Sequence, residues 1–289
     1  MLGFLVPLSS AVFVSGRNVL IRLIRNRVAR ATVLFTNFLF TGVLAVGVLI
    51  LAPPAHIESA FYWAVPISTI ALMAGRYSLI TALSSATLSS TIPLIAFAPL
   101  FISFTSFLIL GETITRVGMI GIVAVVAGSY LLRIQNVRAG LLEPIRVLSR
   151  EKGARMMLLA ALCFSVAAPF AKLAIRSSTT WIAFGTSQVL GALLMTALLL
   201  IRGKLAITFR QIGRHPLPLV LIGLANFLQA VATYLAFDIM LVAYAIGIKG
   251  SNILITALLG HVVFRERQVW RTVIVGSIMV AGVVLLALD

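Results

Sequence analysis

Apolar residues in this chain run on for about twenty positions at a time and then break at short clusters of Pro, Gly and charge. A bilayer core about 30 Å thick is crossed by about 20 residues of α-helix at 1.5 Å each, with every backbone polar group satisfied inside the segment. Ten runs meet that need: 2–21, 32–51, 60–83, 87–110 and 117–132, then 156–175, 181–201, 216–237, 241–264 and 269–288. Turn signals such as Pro53-Pro54, Gly111-Glu112, Arg202-Gly203 and His215-Pro216 separate them. The pattern predicts an all-α integral membrane protein of ten transmembrane helices. Leu2 to Leu20 has no basic residue before it and no small-residue cleavage site after it, so it is expected to stay as the first helix.

The chain also repeats itself. An offset of 154 carries Ile21-Arg22 onto Ile175-Arg176, Glu112 onto Glu266 and Val126-Ala127-Gly128 onto Val280-Ala281-Gly282. The second spans align better at 149, Phe35 with Phe184 and Gly42 with Gly191. The expected division is a first five-helix repeat over 1–133, a basic amphipathic connector over 134–154 and a second repeat over 155–289. Five is odd, so the second repeat must insert upside down relative to the first.

Charge bears this out at the level of sequence. The first loop holds Arg22, Arg25, Arg27 and Arg30, and its repeat equivalent only Arg176; the second holds none, and its equivalent Arg202, Lys204, Arg210 and Arg214. With the connector and the ninth loop, one side collects 17 Lys/Arg and the other 2. The positive-inside rule places the 17 in the cytoplasm and both termini outside, in a multi-pass protein of a bacterial inner (plasma) membrane. Of the 289 residues, 61% are hydrophobic and 10% charged, which excludes a water-soluble fold. The net charge of +16 comes in bursts between spans, so membrane orientation accounts for it and nucleic acid is not an expected partner. A single cysteine, Cys163, leaves no disulfide and no thiol pair for a metal.

Four basic residues fall inside spans: Arg17, Arg76, Lys172 and Lys249. Charge at membrane depth is costly and marks a pathway or binding site, unless the side chain snorkels to an interface. Lys249 is deepest, between Gly247 and Gly250 on the ninth span; the matching fourth span carries Pro93 and Pro99. Interrupted spans at corresponding places in two halves point to a midplane site, although Gly and Pro also serve packing. Asn18, Asn226, Gln229 and Asn252 are candidates to complete such a site, with Asn37, Gln188 and His261 as further polar neighbours; the alternative is interhelical glue. Asp238 either pairs with Lys249 or faces water, and Glu112 and Glu266 read as structural ion pairs or helix caps. H-E-x-x-H, G-x-S-x-G and phosphate-loop patterns are absent from the sequence, so no catalytic residue, cofactor or metal is expected.

One segment runs from Pro99-Leu-Phe through an apolar stretch to Leu110-Gly111-Glu112 and on to Ala127-Gly128-Ser-Tyr-Leu-Leu, and the other from Leu259-Gly260 through Phe264-Arg265-Glu266 to Ala281-Gly282-Val-Val-Leu-Leu. This duplicated pair resembles the EamA-type branch of the drug/metabolite transporter superfamily over nearly the whole chain. The resemblance implies two inverted five-helix repeats around a cavity lined mainly by spans 1, 3, 4, 6, 8 and 9, and alternating access for a small metabolite. Ile253 departs from it, standing where the first repeat has Pro99. The expected function is secondary transport of a small polar, anionic or zwitterionic metabolite, with membrane lipids and a coupling ion or counter-substrate as partners. A lipid-head-group translocator and a non-transporting membrane subunit or sensor are the alternatives.

Overall fold

The computed structural model describes residues 2–24, 27–85, 95, 97–133, 152–252, 254–256, 258–259 and 269–288. Among these, eleven helices follow one another: α1 Leu2–Ile24, α2 Arg30–Leu51, α3 Ser59–Ser85, α4 Ala98–Leu110, α5 Arg116–Arg133, α6 Lys152–Arg176, α7 Thr180–Ile201, α8 Leu205–Arg214, α9 Pro216–Ile239, α10 Val242–Lys249 and α11 Val269–Leu288. Five of them (α1, α2, α6, α7 and α9) contain runs long and apolar enough to cross a bilayer, and shorter apolar helices lie in α4, α5, α10 and α11. Side chains such as Leu51, Leu193 and Ile201 lie largely exposed on the outside, as lipid-facing positions should.

Local chemistry explains the ends. Thr179 caps α7 by accepting the Ile182 N–H at 3.3 Å. Pro216 opens α9, where its missing N–H costs nothing. Gly111 closes α4 in the left-handed conformation, φ 68°, and its N–H bonds to the Phe107 carbonyl. The second-repeat loop that carries Lys204, Arg210 and Arg214 is not a plain loop: α8 lies against α2, with Gln211 Oε1 accepting from Thr32 Oγ1 at 2.6 Å and from the Ala29 N–H.

Helix pairing shows the duplication in three dimensions. The chief packing pairs are α3 with α6, α1 with α9, α2 with α7 and α5 with α11. Exchanging the halves turns the first pair into the second and leaves the last two unchanged, as a two-fold relation requires. The repeat mates α2 and α7 run in opposite senses, since Phe38 fills the space beside Gly191 whereas Leu49, farther along α2, fills that beside Gly185. Two corresponding helices of opposite sense are the signature of inverted repeats. In α5 and α11 the backbones nearly touch, a Cβ on Gly121 falling 2.9 Å from the Gly282 carbonyl oxygen.

The fourth and ninth spans differ from expectation. Pro99 is the second residue of α4, so it starts a helix instead of kinking one. The ninth span breaks at Gly250-Ser251, directly after Lys249. Pro93, His261, Glu266 and the connector up to residue 151 lie outside the described residues.

Candidate functional site

A cavity of about 330 Å³ lies between the halves, lined by residues of α1 to α7, α9 and α10. Three of the four cations expected at membrane depth, Arg17, Arg76 and Lys249, are on its wall, with Gln229, Asn252, Pro99 and Gly250. They lie close enough to act on one another electrostatically. No Asp or Glu lines the cavity among the described residues.

One side of α9 organises two of these cations. Asn226, Gln229 and Thr233 are three and four residues apart and so share a face. Arg17 Nη1 donates to Asn226 Oδ1 at 2.7 Å and to Gln229 Oε1 at 3.2 Å. Asn226, fully buried behind Arg17, donates in turn to Thr41 Oγ1 at 2.9 Å and to the Asn37 carbonyl. Gln229 Nε2 and Lys249 Nζ both donate to Thr233 Oγ1, at 3.0 and 3.2 Å, while that hydroxyl donates to the Gln229 carbonyl. A hydroxyl offers one donor and two acceptor positions, and Ser10 Oγ on α1 also lies 2.9 Å from Thr233 Oγ1, so four partners share these three positions. Arg76 is held differently, its guanidinium carbon 4.8 Å from the centre of the Phe38 ring. Tyr234 stands near Arg76, beside Ser187 and Gln188. Arg17 Nε and Thr69 Oγ1 are buried on the cavity wall without a protein hydrogen-bond partner.

Lys172 is not part of this group. It lies at the end of the bundle where α4 and α6 finish, its Nζ 2.6 Å from Glu112 Oε1 and 2.7 Å from the Met240 carbonyl. Arg176 approaches the same carboxylate at 3.5 Å, and Glu112 Oε2 accepts the Val242 N–H at the start of α10. The expectation that Lys172 faces substrate is thus corrected: its charge is already matched by a buried carboxylate. Asp238 is exposed, and Lys249 turns to Thr233, so the Asp238–Lys249 pair does not form. Asn18 is half-buried beside Arg17 and off the cavity wall, and Gly247 packs towards Leu286. Thr69, Ser187, Thr233, Tyr234 and Phe38 were not foreseen; the spacing of Asn226, Gln229 and Thr233 on α9 was the available signal for one of them.

Residues 1–134 and 151–288 match the EamA-like transporter family. The chain belongs to that family. This EamA-like protein is therefore a membrane transporter, multi-pass and integral to the bilayer. A crystal structure of a protein 16% identical to it superposes with a TM-score of 0.75, covering 99% of this chain and 97% of the other, so the two share a fold. Comparison with curated proteins gives no match.

Proposed function

We propose that this EamA-like protein is a secondary transporter that carries a small anionic metabolite across the membrane by alternating access, with Lys249, Arg76 and Arg17 holding the anionic group. The observation that carries this reading is the convergence of three cations on a small cavity in which the described lining offers no carboxylate. In a low-dielectric cavity such groups supply both charge and hydrogen-bond donors. Cationic solutes are disfavoured by the same charges, and a zwitterion would need its ammonium group placed among neutral acceptors such as Gln188. The cavity volume sits at the lower end of pockets that hold small organic molecules. Apolar walls from Leu72, Ile102, Phe164 and Phe237 suit the carbon skeleton of such a ligand.

Lys249 is the last residue of α10, at the point where the ninth span is interrupted. Broken helices at a repeat seam free backbone groups and allow one half to rock against the other around the bound solute. The ion cluster at Glu112 ties α4, α6 and α10 together at one end of the bundle, and its release would accompany opening there.

Purified protein, screened for thermal stabilisation by anions, zwitterions and cations, tests the assignment. Anions should raise the melting temperature, and Lys249→Ala should abolish that shift while the protein stays monodisperse in detergent. An unchanged anion affinity in Lys249→Ala would overturn it. Lipid-dependent stabilisation without any response to soluble anions would favour head-group translocation instead.

A further inference from the structure

Arg17 and Lys249 are oriented by neutral partners. An amide or hydroxyl oxygen directs a cationic donor through its dipole without cancelling the charge, whereas a carboxylate does both. The Asn226-Gln229-Thr233 ridge supplies two amide oxygens to Arg17 and a hydroxyl oxygen to Lys249, and Arg76 rests on an aromatic ring. Carboxylates are used elsewhere. Of the acids among the described residues, Glu112 is committed to Lys172 and Arg176, and Glu58 and Asp238 are exposed. A ligand with one negative charge would leave two positive charges facing each other across a cavity of low dielectric, where repulsion is weakly screened. The unpartnered Arg17 Nε and Thr69 Oγ1 on the wall offer further hydrogen bonds to such a ligand.

We infer that the α9 ridge is a specificity device: by positioning Arg17 and Lys249 through neutral oxygens it keeps the site's charge uncompensated and selects ligands that carry at least two negative charges, as dicarboxylates and phosphomonoesters do. The inference rests on the anion reading above and adds valence to it. Gln229 and Thr233 are positioning residues; they act on the ligand through Arg17 and Lys249.

Ligand pairs of matched shape test it. Succinate is compared with its monoamide, and a phosphomonoester with its methyl phosphodiester, by thermal shift and by competition binding on the full-length protein in detergent. The doubly charged member of at least one pair should bind at least about tenfold more tightly, a difference of about 1.4 kcal/mol, and which pair shows the gap tells dicarboxylate from phosphate. Gln229→Glu, an isosteric change that places a carboxylate beside Arg17, should collapse the gap by weakening the dianion far more than the monoanion. If Gln229 served only to hold α1 against α9, Gln229→Glu would keep or strengthen that bond and leave the gap intact, and this result would overturn the inference. Equal binding within both wild-type pairs overturns it too while leaving the anion reading standing. Binding of zwitterions or cations with no binding of any anion would remove both. Should Gln229→Glu fail to fold, Thr233→Val, which frees Lys249 from its hydroxyl anchor, provides the second variant: the dianion-to-monoanion ratio should fall, and an unchanged ratio counts against the ridge.

Discussion

A lysine or arginine among apolar neighbours is conspicuous in a sequence because burying its charge is expensive; that is why Arg17, Arg76 and Lys249 stand out as candidates in the sequence, and all three line one cavity. What a sequence does not carry is the partner. Lys172, like Arg17, lies about one turn from the end of an apolar span, yet its charge is answered by Glu112, 60 residues earlier in the chain. The hydroxyl groups of Thr69 and Ser187 were unreadable for another reason. In membrane helices a Ser or Thr usually satisfies itself on its own backbone, as Thr36 does on the Thr32 carbonyl at 2.8 Å, so its presence alone says nothing. Asp238 stands at the opposite extreme, exposed and away from Lys249. Exposed charges contribute little, so Asp238→Asn should leave ligand affinity unchanged within about twofold, checked in the same binding assay as Lys249→Ala. A loss comparable with that of Lys249→Ala would restore Asp238 as the lysine's counter-charge.

Elements meet most tightly at Glu112. Gly111, in the left-handed conformation, turns the chain so that Glu112 points back into the bundle, where it is 5% exposed and joins α4 to α6 and to the first N–H of α10. The sequence suggested ion pairing or a helix cap for this residue, and the geometry contains both, with partners that spacing could not identify. Breaking a buried pair from one side strands a charge at a cost of about 3–5 kcal/mol, whereas removing both partners leaves none behind. Glu112→Gln and Lys172→Met should therefore each lower the melting temperature in detergent, and the double variant should be more stable than the sum of the two losses implies. Strictly additive losses would mean that the two side chains do not act as a pair. Lys172→Met should at the same time keep its response to anions, the reverse of Lys249→Ala. Boundaries at the fourth and ninth spans were the least readable part of the fold, because Pro can either kink a helix or begin one, and only the position of Pro99 within the first turn of α4 decides between them.

For the whole molecule, the duplicated sequence and the exchange of basic loops were enough to anticipate inverted repeats, and the opposed α2 and α7 provide them. The direction in which the molecule sits in the membrane is a separate matter, resting on 17 Lys/Arg at one end of the spans against 2 at the other. Glu58 is exposed at the end where α3 begins, its N–H bonded to the Ser177 carbonyl just past α6. Arg210 is exposed on α8, beyond the 22-residue length of α7, about 33 Å away along that helix. Since Cys163 can be replaced by Ser, a single cysteine at either position reports one face. The positive-inside rule predicts that a membrane-impermeant maleimide labels Glu58→Cys in intact cells and Arg210→Cys only after lysis. The opposite result would invert the protein in the membrane while leaving the cavity and its cations as they are, because the site lies at the seam between two halves that exchange roles when the molecule is turned over. Orientation thus decides which compartment the Glu112 cluster faces, and with it the side on which that cluster must loosen for solute to pass.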